Sequence, residues 1–529
     1  MRMFVKTAVA GVMLTVCHFG AASQETSQQQ IMDAVMQVYA DELRNNPNDY
    51  VALYSRANQY YINGDYDSAL KDVNAALRVT TRDDMETLVD EYVLRAKIYN
   101  ATNKPQLALA DLREANKLNP SSDTVLTMLA AAYYDTGDYG NARACYLSLY
   151  RRNNINYVAI LGLARSEVHL NNLGQAEEYA NQAVELYPAQ ADVFIGRADV
   201  MQMLGKNRQA ANDLIVAMSI SNDATGALQA LIKLSDCAYD DVVAALSAAI
   251  ESVPSTGMFY YILASVQVGH SHYADGLLTL EKVMARGLYD YHGIYYDAAQ
   301  AAYNLCRYDE ALDYINKAIG MQGDIVYYYV MKSQILSAMN DVAAAYNAVK
   351  TGLAINAGDA GALYQKAILD IDAGEYRTAL LSLNEIIMTS PSWSIGRYMR
   401  GWVQLNCMND AEASKSDFNE VLLSGDGSMP IKGFALHQLG RDAEAAEWCK
   451  SITAGNMKAG GEAYYTAAVL MSQCGNADAA IDYLGKALDA GYGSRYDIMV
   501  NEAPLKSLQS IRHLESFKAL VASKQAVFE

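Results

Sequence analysis

The sequence predicts an all-α fold in which pairs of short helices stack in register, and three observations predict it. A small residue recurs along most of the chain at steps of 32 to 39 residues, most often 34, beginning at Ala57. A second small residue follows, twelve positions later in the first unit, where it is Ala69. Between them stands a glycine or asparagine such as Gly64, which readily adopts the positive φ that ends a helix. Because neither helix can bury its apolar stripe alone, such units must stack on one another.

The markers define thirteen units over residues 50–490, which we number repeat 1 to repeat 13. After Ala57, the first-helix markers are Ala96, Ala130, Ala164, Ala198, Ala230, Ala264, Ala299, Ser333, Ala367, Gly401, Gly433 and Ala468. The turn position of Gly64 is held by Asn103, Gly137, Asn171, Gly205, Asn340, Gly374, Gly440 and Gly475. Repeats 7 and 8 carry Ser271 and Cys306 at that position instead.

This 34-residue pattern resembles that of the tetratricopeptide-repeat (TPR) family. Besides the two small residues, the chain has an aromatic residue three positions after the marker, as in Tyr60, and a Gly-x-Tyr turn, as at Gly64–Tyr66. Several repeats close on a proline, among them Pro120 and Pro188. The resemblance implies a TPR α-solenoid of about thirteen helix-turn-helix repeats, coiled as a right-handed superhelix and closed by capping helices.

Residues 1–23 have the three-part layout of a secretory signal peptide. A basic start precedes an apolar run over residues 8–16, and small residues follow at 20–23. The run is too short to cross a bilayer, so we expect cleavage at the end of this segment. An uncleaved N-terminal anchor and a lipid anchor at Cys17 are the alternatives, and the valine before that cysteine disfavours lipidation. The protein is therefore expected to be exported, either to the periplasm or in association with the outer envelope.

The rest of the chain divides into four parts. Residues 24–49 are expected to form an N-terminal capping helix, and residues 50–423 hold repeats 1–11. Repeats 12 and 13 occupy residues 424–490 after a break, because a glycine- and serine-rich stretch interrupts the pattern and Pro430 shortens the next helix. Residues 491–529 show a leucine and phenylalanine pattern that predicts C-terminal capping helices.

Charge and cysteine content limit the class of partner. Two of the 41 basic residues and none of the 60 acidic residues lie in residues 1–23. The mature chain therefore has 39 basic and 60 acidic residues, a formal net charge of −21. Such a surface repels phosphate backbones and argues against nucleic acid as a partner. Outside the leader, six cysteines remain, none in a C-x-x-C pair. We interpret them as small packing residues rather than as a disulfide framework.

Motifs for catalysis or cofactor binding are missing from the sequence. It holds no G-x-S-x-G elbow, Walker A loop, H-E-x-x-H, G-x-G-x-x-G or EF-hand loop. His270, His272 and His292 form the one histidine cluster, but no cysteine or carboxylate accompanies them at a typical ligand spacing. Asp370 and Asp372 stand two residues apart on a helix and do not share a face. We therefore expect no catalytic residue, no metal and no cofactor, and the protein is not expected to be an enzyme.

The resemblance also implies a concave groove lined by the first helices, where family members usually bind ligands. Counting from seven residues before each marker, positions 2, 5, 9, 12 and 13 are expected to face that groove. Tyrosine and tryptophan recur there, and these side chains combine a large contact area with a hydrogen-bonding tip. The candidate partner-binding residues are Tyr54, Tyr61, Tyr134, Tyr261, Tyr296, Tyr303, Tyr364, Tyr398, Trp402 and Tyr465.

Two functions of different classes follow from this groove. The first is a non-catalytic protein–protein interaction scaffold or adaptor of the cell envelope, which binds a peptide or protein partner in an aromatic, acidic groove. The second is a protein that binds a glycan or another small ligand, with tyrosine and tryptophan faces stacked on sugar rings. The basic residues and asparagines needed to grip a C-terminal carboxylate never occur as a set, so a chaperone-tail clamp is not expected. Whether the aromatic residues contact a ligand or only pack, and the identity of the partner, stay open.

Overall fold

Helices and the turns between them make up the chain wherever the computed structural model describes it, over residues 35–221, 223–424, 430–454 and 460–528. No strand occurs in these ranges, so the predicted all-α fold is confirmed. The predicted leader, the Cys17 alternative and the centre of the predicted break lie outside the described residues. Every helix in the described ranges is too short or too polar to span a bilayer.

The chain divides between Leu234 and Ser235 into two compact units. Within the described residues, the N-terminal unit begins with a helix over 35–45, in the segment predicted to cap the array. Repeats 1 to 5 follow as the helix pairs Tyr50–Ile62 and Tyr66–Val79, Met85–Ala101 and Pro105–Leu118, Asp123–Asp135 and Tyr139–Arg152, Tyr157–His169 and Leu173–Leu186, and Ala191–Met203 and Asn207–Ile220.

Repeat 6 contains the boundary between the two units. Its helices run together as Thr225–Ser252, and the non-helical backbone of Ala238 (φ −140°, ψ 49°) marks the place of the missing turn. Repeats 7 to 13 follow as Gly257–Gly269 and Tyr273–Ala285, His292–Asn304 and Tyr308–Met321, Val326–Ala338 and Val342–Ile355, Ala360–Asp372 and Tyr376–Thr389, Ile395–Asn406 and Ala411–Leu423, Pro430–Gln438 and Asp442–Thr453, and Gly461–Gln473 and Ala477–Asp489. The C-terminal unit ends with helices Arg495–Met499 and Glu515–Ser523 and a 3₁₀ turn at Gln525–Val527.

The predicted left-handed turns are present. Gly64 has a φ of 79°, and positive φ recurs at Asn103, Gly137, Asn171, Gly205, Asn340, Gly374, Gly440 and Gly475. Backbone hydrogen bonds of 3.1 and 3.0 Å, from the N–H groups of Gly64 and Asp65 to carbonyls of the first helix, close the turn of repeat 1. Ser271 and Cys306 take the same conformation, although a β-carbon makes it less favourable.

The small markers lie where paired helices touch. Ala57 and Ala69 are completely buried. The same is true of Ala96 and Ala108, Ala130 and Ala142, Ala164 and Ala176, Ala299 and Ala311, Ala367 and Ala379, and Ala468 and Ala480. A larger side chain at these sites would have to push two helices apart, which is why the repeat keeps alanine there.

In the described part of the chain, four repeats also contain an ion pair that joins the first helix to the second. The arginine that precedes the first-helix marker makes a two-pronged contact with an aspartate, as Arg197 does with Asp213 at 2.8 and 2.6 Å. Its remaining nitrogen donates to Asn181 of the preceding repeat at 3.2 Å. The equivalent pairs are Arg56–Asp72, Arg95–Asp111 and Arg400–Asp417. Because a two-pronged arginine–carboxylate contact fixes both distance and orientation, these pairs hold the helices in register.

Candidate functional site

A cavity of about 530 Å³ lies in the N-terminal unit, between repeats 3 and 6. Tyr134, Arg165, Asp199 and Gln202 line it from the first helices of repeats 3, 4 and 5. These residues occupy positions 9 and 12 of their repeats, which the sequence predicts to face a groove. A cavity of this size lies in the range of pockets that hold small ligands or a few side chains of a partner.

The floor of the cavity is apolar and depends on one close contact. Tyr146, from the second helix of repeat 3, lies against Gly162 so closely that a β-carbon there would be 2.4 Å from the ring. Leu214 and Ala210, from the second helix of repeat 5, complete this wall. Burial raises the pKa of Tyr146 to about 12, so its phenol stays neutral and offers an apolar ring face.

The mouth of the cavity is polar and carries both charge signs. The Arg165 Nε and Asp199 Oδ2 atoms are 2.6 Å apart, and both side chains are more than a third exposed. The Tyr134 hydroxyl lies 3.0 Å from Nε2 of His169, whose ring stacks on Tyr139 at a centroid distance of 3.9 Å. Burial, followed by the negative charge of Asp199, raises the pKa of Tyr134. A neutral phenol thus stands beside a charged pair at the entrance.

The other two candidate residues of the N-terminal unit lie apart from this cavity. Tyr54 is half-buried and packs on the apolar core around Ala57 and Val73. Tyr61 is also half-buried, with its ring centroid 6.0 Å from that of Tyr66. Of the candidates in this unit, the structure therefore brings Tyr134 alone to the cavity.

In the C-terminal unit, the candidates of repeats 7 and 8 join a cluster of tyrosines. Tyr261 is 8% exposed, and its ring centroid lies 5.7 Å from that of Tyr291. Tyr296 stacks on Tyr328 at 5.2 Å. Burial raises the pKa of each of these phenols above its ordinary value. In this conformation the rings contact one another rather than an open surface.

The candidates of repeats 10 and 11 contact the apolar core. Tyr364 is half-buried and meets Trp393 edge to face at 5.7 Å. Tyr398 is completely buried, 5.7 Å from the ring of Phe418. Trp402 is half-buried against the same core. A completely buried ring such as that of Tyr398 offers a partner no surface.

The last two candidates contact the chain's own C-terminal segment, residues 491–528. Tyr465 is completely buried and stacks on Tyr492 with a centroid distance of 4.3 Å. Its hydroxyl lies 2.8 and 2.7 Å from two backbone carbonyl oxygens of the segment. In repeat 8, the ring of Tyr303 lies 4.5 Å from that of Tyr496. The segment predicted as a simple cap therefore occupies positions that the sequence assigns to a partner.

Hydrogen bonds fix this segment within the C-terminal unit. The Gly493 N–H donates to the carbonyl of Ser271 at 2.8 Å. The Ser494 hydroxyl donates to Asn304 Oδ1, also at 2.8 Å, and both side chains are buried. Asp497 is 5% exposed and accepts hydrogen bonds from side chains of the same segment. Because these polar groups are buried and paired, releasing the segment would leave several of them without partners.

The three histidines singled out in the sequence contact aromatic and hydroxyl side chains, and His270 and His272 both pack on Tyr239. His272 stacks on Tyr239 at a centroid distance of 4.4 Å. His292 bonds through Nδ1 to the hydroxyl of Tyr328, and His270 lies 3.0 Å from the Ser235 hydroxyl. Burial lowers the pKa of both His272 and His292, which favours neutral rings. These rings are accounted for by packing against aromatic and hydroxyl side chains.

A different cluster of metal-ligating side chains was not predicted from the sequence. His437, Asp442 and Cys474 of repeats 12 and 13 place one ligand atom each within 4.8 Å of the others. The first two are five residues apart and the cysteine is 37 residues from the histidine, so no local motif marks them. Only the stacking of consecutive turns brings them together.

Comparison with known proteins identifies the repeat. Two family models described as "Tetratricopeptide repeat" match the chain, one over residues 93–158 and 127–191 and the other over residues 292–325. Cellulose synthase operon protein C of Pseudomonas fluorescens (strain SBW25) is 30% identical over 189 residues. That match covers 34% of this chain and 14% of the relative, so the chain spans a small part of that protein's length.

Similar solved structures include yeast Tom70, which is 16% identical with a TM-score of 0.36 and covers 90% of this chain and 96% of its own. Another is a tetratricopeptide repeat protein from Parabacteroides merdae ATCC 43184, 17% identical with a TM-score of 0.29, over 54% and 98%. The family matches fall on repeats 2–4 and 8, and helix pairs with the same buried markers precede and follow them. The chain therefore contains tetratricopeptide repeats, at residues 93–191 and 292–325.

Proposed function

We propose that the chain is a non-catalytic interaction scaffold of the cell envelope whose N-terminal unit binds a peptide or protein segment in the cavity of repeats 3–6. Tetratricopeptide repeats generally mediate protein–protein interactions, and proteins of this fold are typically non-catalytic. The observation that carries the proposal is the cavity itself, because its mouth is built from positions that the repeat presents to a ligand.

The chemistry of the cavity favours a segment with one apolar side chain and a polar flank. An aliphatic or aromatic side chain would bury its area against the Tyr146 ring and Leu214. Backbone or side-chain polar groups of the segment would meet Arg165, Asp199 and the Tyr134 hydroxyl at the mouth. Tyrosine and arginine are common among residues that dominate binding energy in protein interfaces.

The lining side chains support binding rather than catalysis. None of the described residues that line the cavity is a serine, cysteine or histidine, and Arg165 is paired with Asp199. The nearby His169 contacts Tyr134 and Tyr139. Acyl transfer needs a nucleophile beside a base, and this lining supplies no such pair. The leader predicted at residues 1–23 supports export to the envelope. N-terminal sequencing of the mature protein tests that part, and an intact Met1 on a cytoplasmic protein would contradict it.

Site-specific photo-crosslinking tests the binding surface. A photoreactive amino acid is placed at Gln202, an exposed position of the cavity, or at Glu178, an exposed position on the second helix of repeat 4. A partner of this cavity should be captured in cells from Gln202 and not from Glu178. Equal capture from both positions, or from neither, would contradict the proposal.

The captured protein is then purified and its affinity measured. Tyr134→Ala should weaken binding by about tenfold or more, as expected for an aromatic residue at the centre of an interface. Tyr61→Ala is the matched control, because Tyr61 occupies the same position in repeat 1 but lies outside the cavity. Unchanged affinity in the Tyr134 variant would overturn the proposed site.

Glycan binding is the second candidate, and one observation favours it. The relative with 30% identity carries a name that ties that protein to a cellulose synthase operon. A β-glucan oligosaccharide is therefore titrated into the purified protein alongside the protein partner. Saturable sugar binding that is lost in Trp402→Ala or Tyr134→Ala, together with failure to capture a protein, would favour the glycan.

A further inference from the structure

His437, Asp442 and Cys474 converge at the edge of repeats 12 and 13 in the C-terminal unit. The His437 Nδ1 atom is 2.7 Å from Asp442 Oδ1 and 3.5 Å from the sulfur of Cys474. The sulfur is 3.8 Å from the same Asp442 oxygen. All three ligand atoms therefore face one point, and two of the side chains bond to the same ring nitrogen.

Rigid turns position the three groups. His437 is the next-to-last residue of the first helix of repeat 12 and Asp442 begins the second, on either side of the left-handed turn at Gly440. Cys474 caps the first helix of repeat 13, beside the equivalent turn at Gly475. Because consecutive repeats stack in register, the two turns meet and their donors face each other. The site is thus formed by backbone that the fold already fixes.

The spacing of the donors fits a small tetrahedral cation. Zinc binds thiolate at about 2.3 Å and imidazole or carboxylate at about 2.0–2.2 Å, so its ligand atoms lie roughly 3.3–3.7 Å apart. The 3.5 Å distance from the sulfur to His437 Nδ1 lies within that range, and the 3.8 Å distance to Asp442 Oδ1 is 0.1 Å above it. The nitrogen–oxygen distance is shorter because a proton now joins those atoms. The side chain of Asp442 is 53% exposed, so it can move and lengthen this distance when a metal binds.

This donor set also excludes the common alternatives. A hydrogen-bonded catalytic relay needs the cysteine and the carboxylate on opposite nitrogens of the imidazole. Here both contact Nδ1, so the acid cannot orient the ring toward the thiol. A soft thiolate, an imidazole and one carboxylate suit zinc, whereas calcium and magnesium prefer oxygen ligands throughout.

We propose that His437, Asp442 and Cys474 form a binding site for a zinc-like divalent cation, with water as the fourth ligand. On binding, the Cys474 thiol proton leaves to solvent and the sulfur binds the metal as thiolate. The imidazole keeps one proton, now on Nε2, and coordinates through Nδ1, while Asp442 contributes one oxygen. The ion then joins repeat 12 to repeat 13 beside the turns that connect their helices.

Cobalt spectroscopy on the reduced, tag-free mature chain tests this site. One equivalent of Co²⁺ should give a thiolate-to-cobalt charge-transfer band together with the visible ligand-field bands typical of tetrahedral cobalt. Zinc should displace cobalt with a stoichiometry of one. Absence of a saturable one-to-one signal would overturn the proposal.

Variants distinguish this site from adventitious binding. Cys474→Ser should remove the charge-transfer band and weaken zinc binding by more than about tenfold, and His437→Gln should weaken it similarly. Cys407→Ser is the matched control, because Cys407 caps the first helix of repeat 11 in the same way and should leave both signals unchanged. Circular dichroism checks that each variant is folded. Asp442→Asn changes an exposed ligand and should also weaken zinc binding. A band that survives in Cys474→Ser, or disappears in Cys407→Ser, would contradict the assignment.

Discussion

Asp297 makes the stability of the C-terminal unit depend on pH. It lies in the first helix of repeat 8, is 8% exposed, and accepts a hydrogen bond of 2.7 Å from the Ser265 hydroxyl. Tyr261, Tyr296 and Tyr328 lie close to it. Burial raises the pKa of Asp297 to about 7. Its neutral form is therefore the one that the fold favours.

The magnitude follows from the difference between this pKa and the ordinary value of an aspartate, about 4. Each pH unit corresponds to about 1.4 kcal/mol, so about three units give a limit of about 4 kcal/mol. Because the pKa is raised on folding, the contribution of Asp297 is fully present below about pH 4 and is lost as the pH rises through about 7. Between about pH 5 and pH 8, the expected loss is about 2.5 kcal/mol.

Asp297→Asn removes the ionisable group and keeps an oxygen that can accept the bond from Ser265. Urea unfolding at about pH 5 and pH 8, compared with the unsubstituted protein, measures the effect. The comparison is needed because burial lowers the pKa of His272 and His292, which contribute a pH dependence of opposite sign. From about pH 5 to pH 8, the free energy of unfolding of the variant should fall by about 2.5 kcal/mol less than that of the unsubstituted protein. Parallel pH profiles, or the same change in the exposed control Asp313→Asn, would refute the reasoning.

Three further comparisons of variants test the packing of the repeats. Ala176→Leu should lower the free energy of unfolding by about 1–3 kcal/mol, because the larger side chain overpacks two paired helices. Ala210→Leu should lower it by less, because Ala210 borders the cavity. Equal urea midpoints for the two variants would contradict this. Asp213→Asn should cost about 2–4 kcal/mol, because it leaves the largely buried guanidinium of Arg197, 17% exposed, without its carboxylate. An unchanged urea midpoint would count against the ion pair as a structural element. Gly491→Ala should expose residues 491–514 to hydrogen exchange, because its β-carbon would lie 2.0 Å from a histidine ring. Gly475→Ala has the same positive φ but open space around it, so equal exchange in both variants would exclude the contact as the cause.

The helix pairs could be predicted from the sequence because their determinants are local. Gly64 and Ala57 each act within one repeat, through backbone conformation and side-chain size, and both properties are visible in the residue type. The recurrence of these residues then fixes how the repeats follow one another. Repeat 6 is the informative exception: it follows a short step of 32 residues, has neither glycine nor asparagine at the turn, and its helices run together through Ala238.

Contacts between distant residues could not be predicted in the same way. The Arg197–Asp213 pair joins residues 16 positions apart across a turn, and a charged pair at that spacing has no meaning until the helices are paired. The contact of Ser494 with Asn304 spans 190 residues, and no periodicity in the sequence indicates it. The sequence therefore predicted helices in residues 491–528 but did not predict where this segment would pack.

The tyrosines of the first helices show why residue type alone does not define a binding surface. Tyr134 and Tyr303 stand at the same position of their repeats, yet one lines a cavity and the other contacts Tyr496 of the C-terminal segment. The difference lies in what each unit contains. The C-terminal unit supplies its own occupant for these positions, held by the buried hydrogen bonds of Ser494, whereas in the N-terminal unit the space beside Tyr134 is a cavity. A ligand for the repeat positions is thus expected at repeats 3–6, where the cavity combines an apolar wall with a polar mouth. A peptide that resembles residues 491–528 in its tyrosine and serine content is the first ligand to test there.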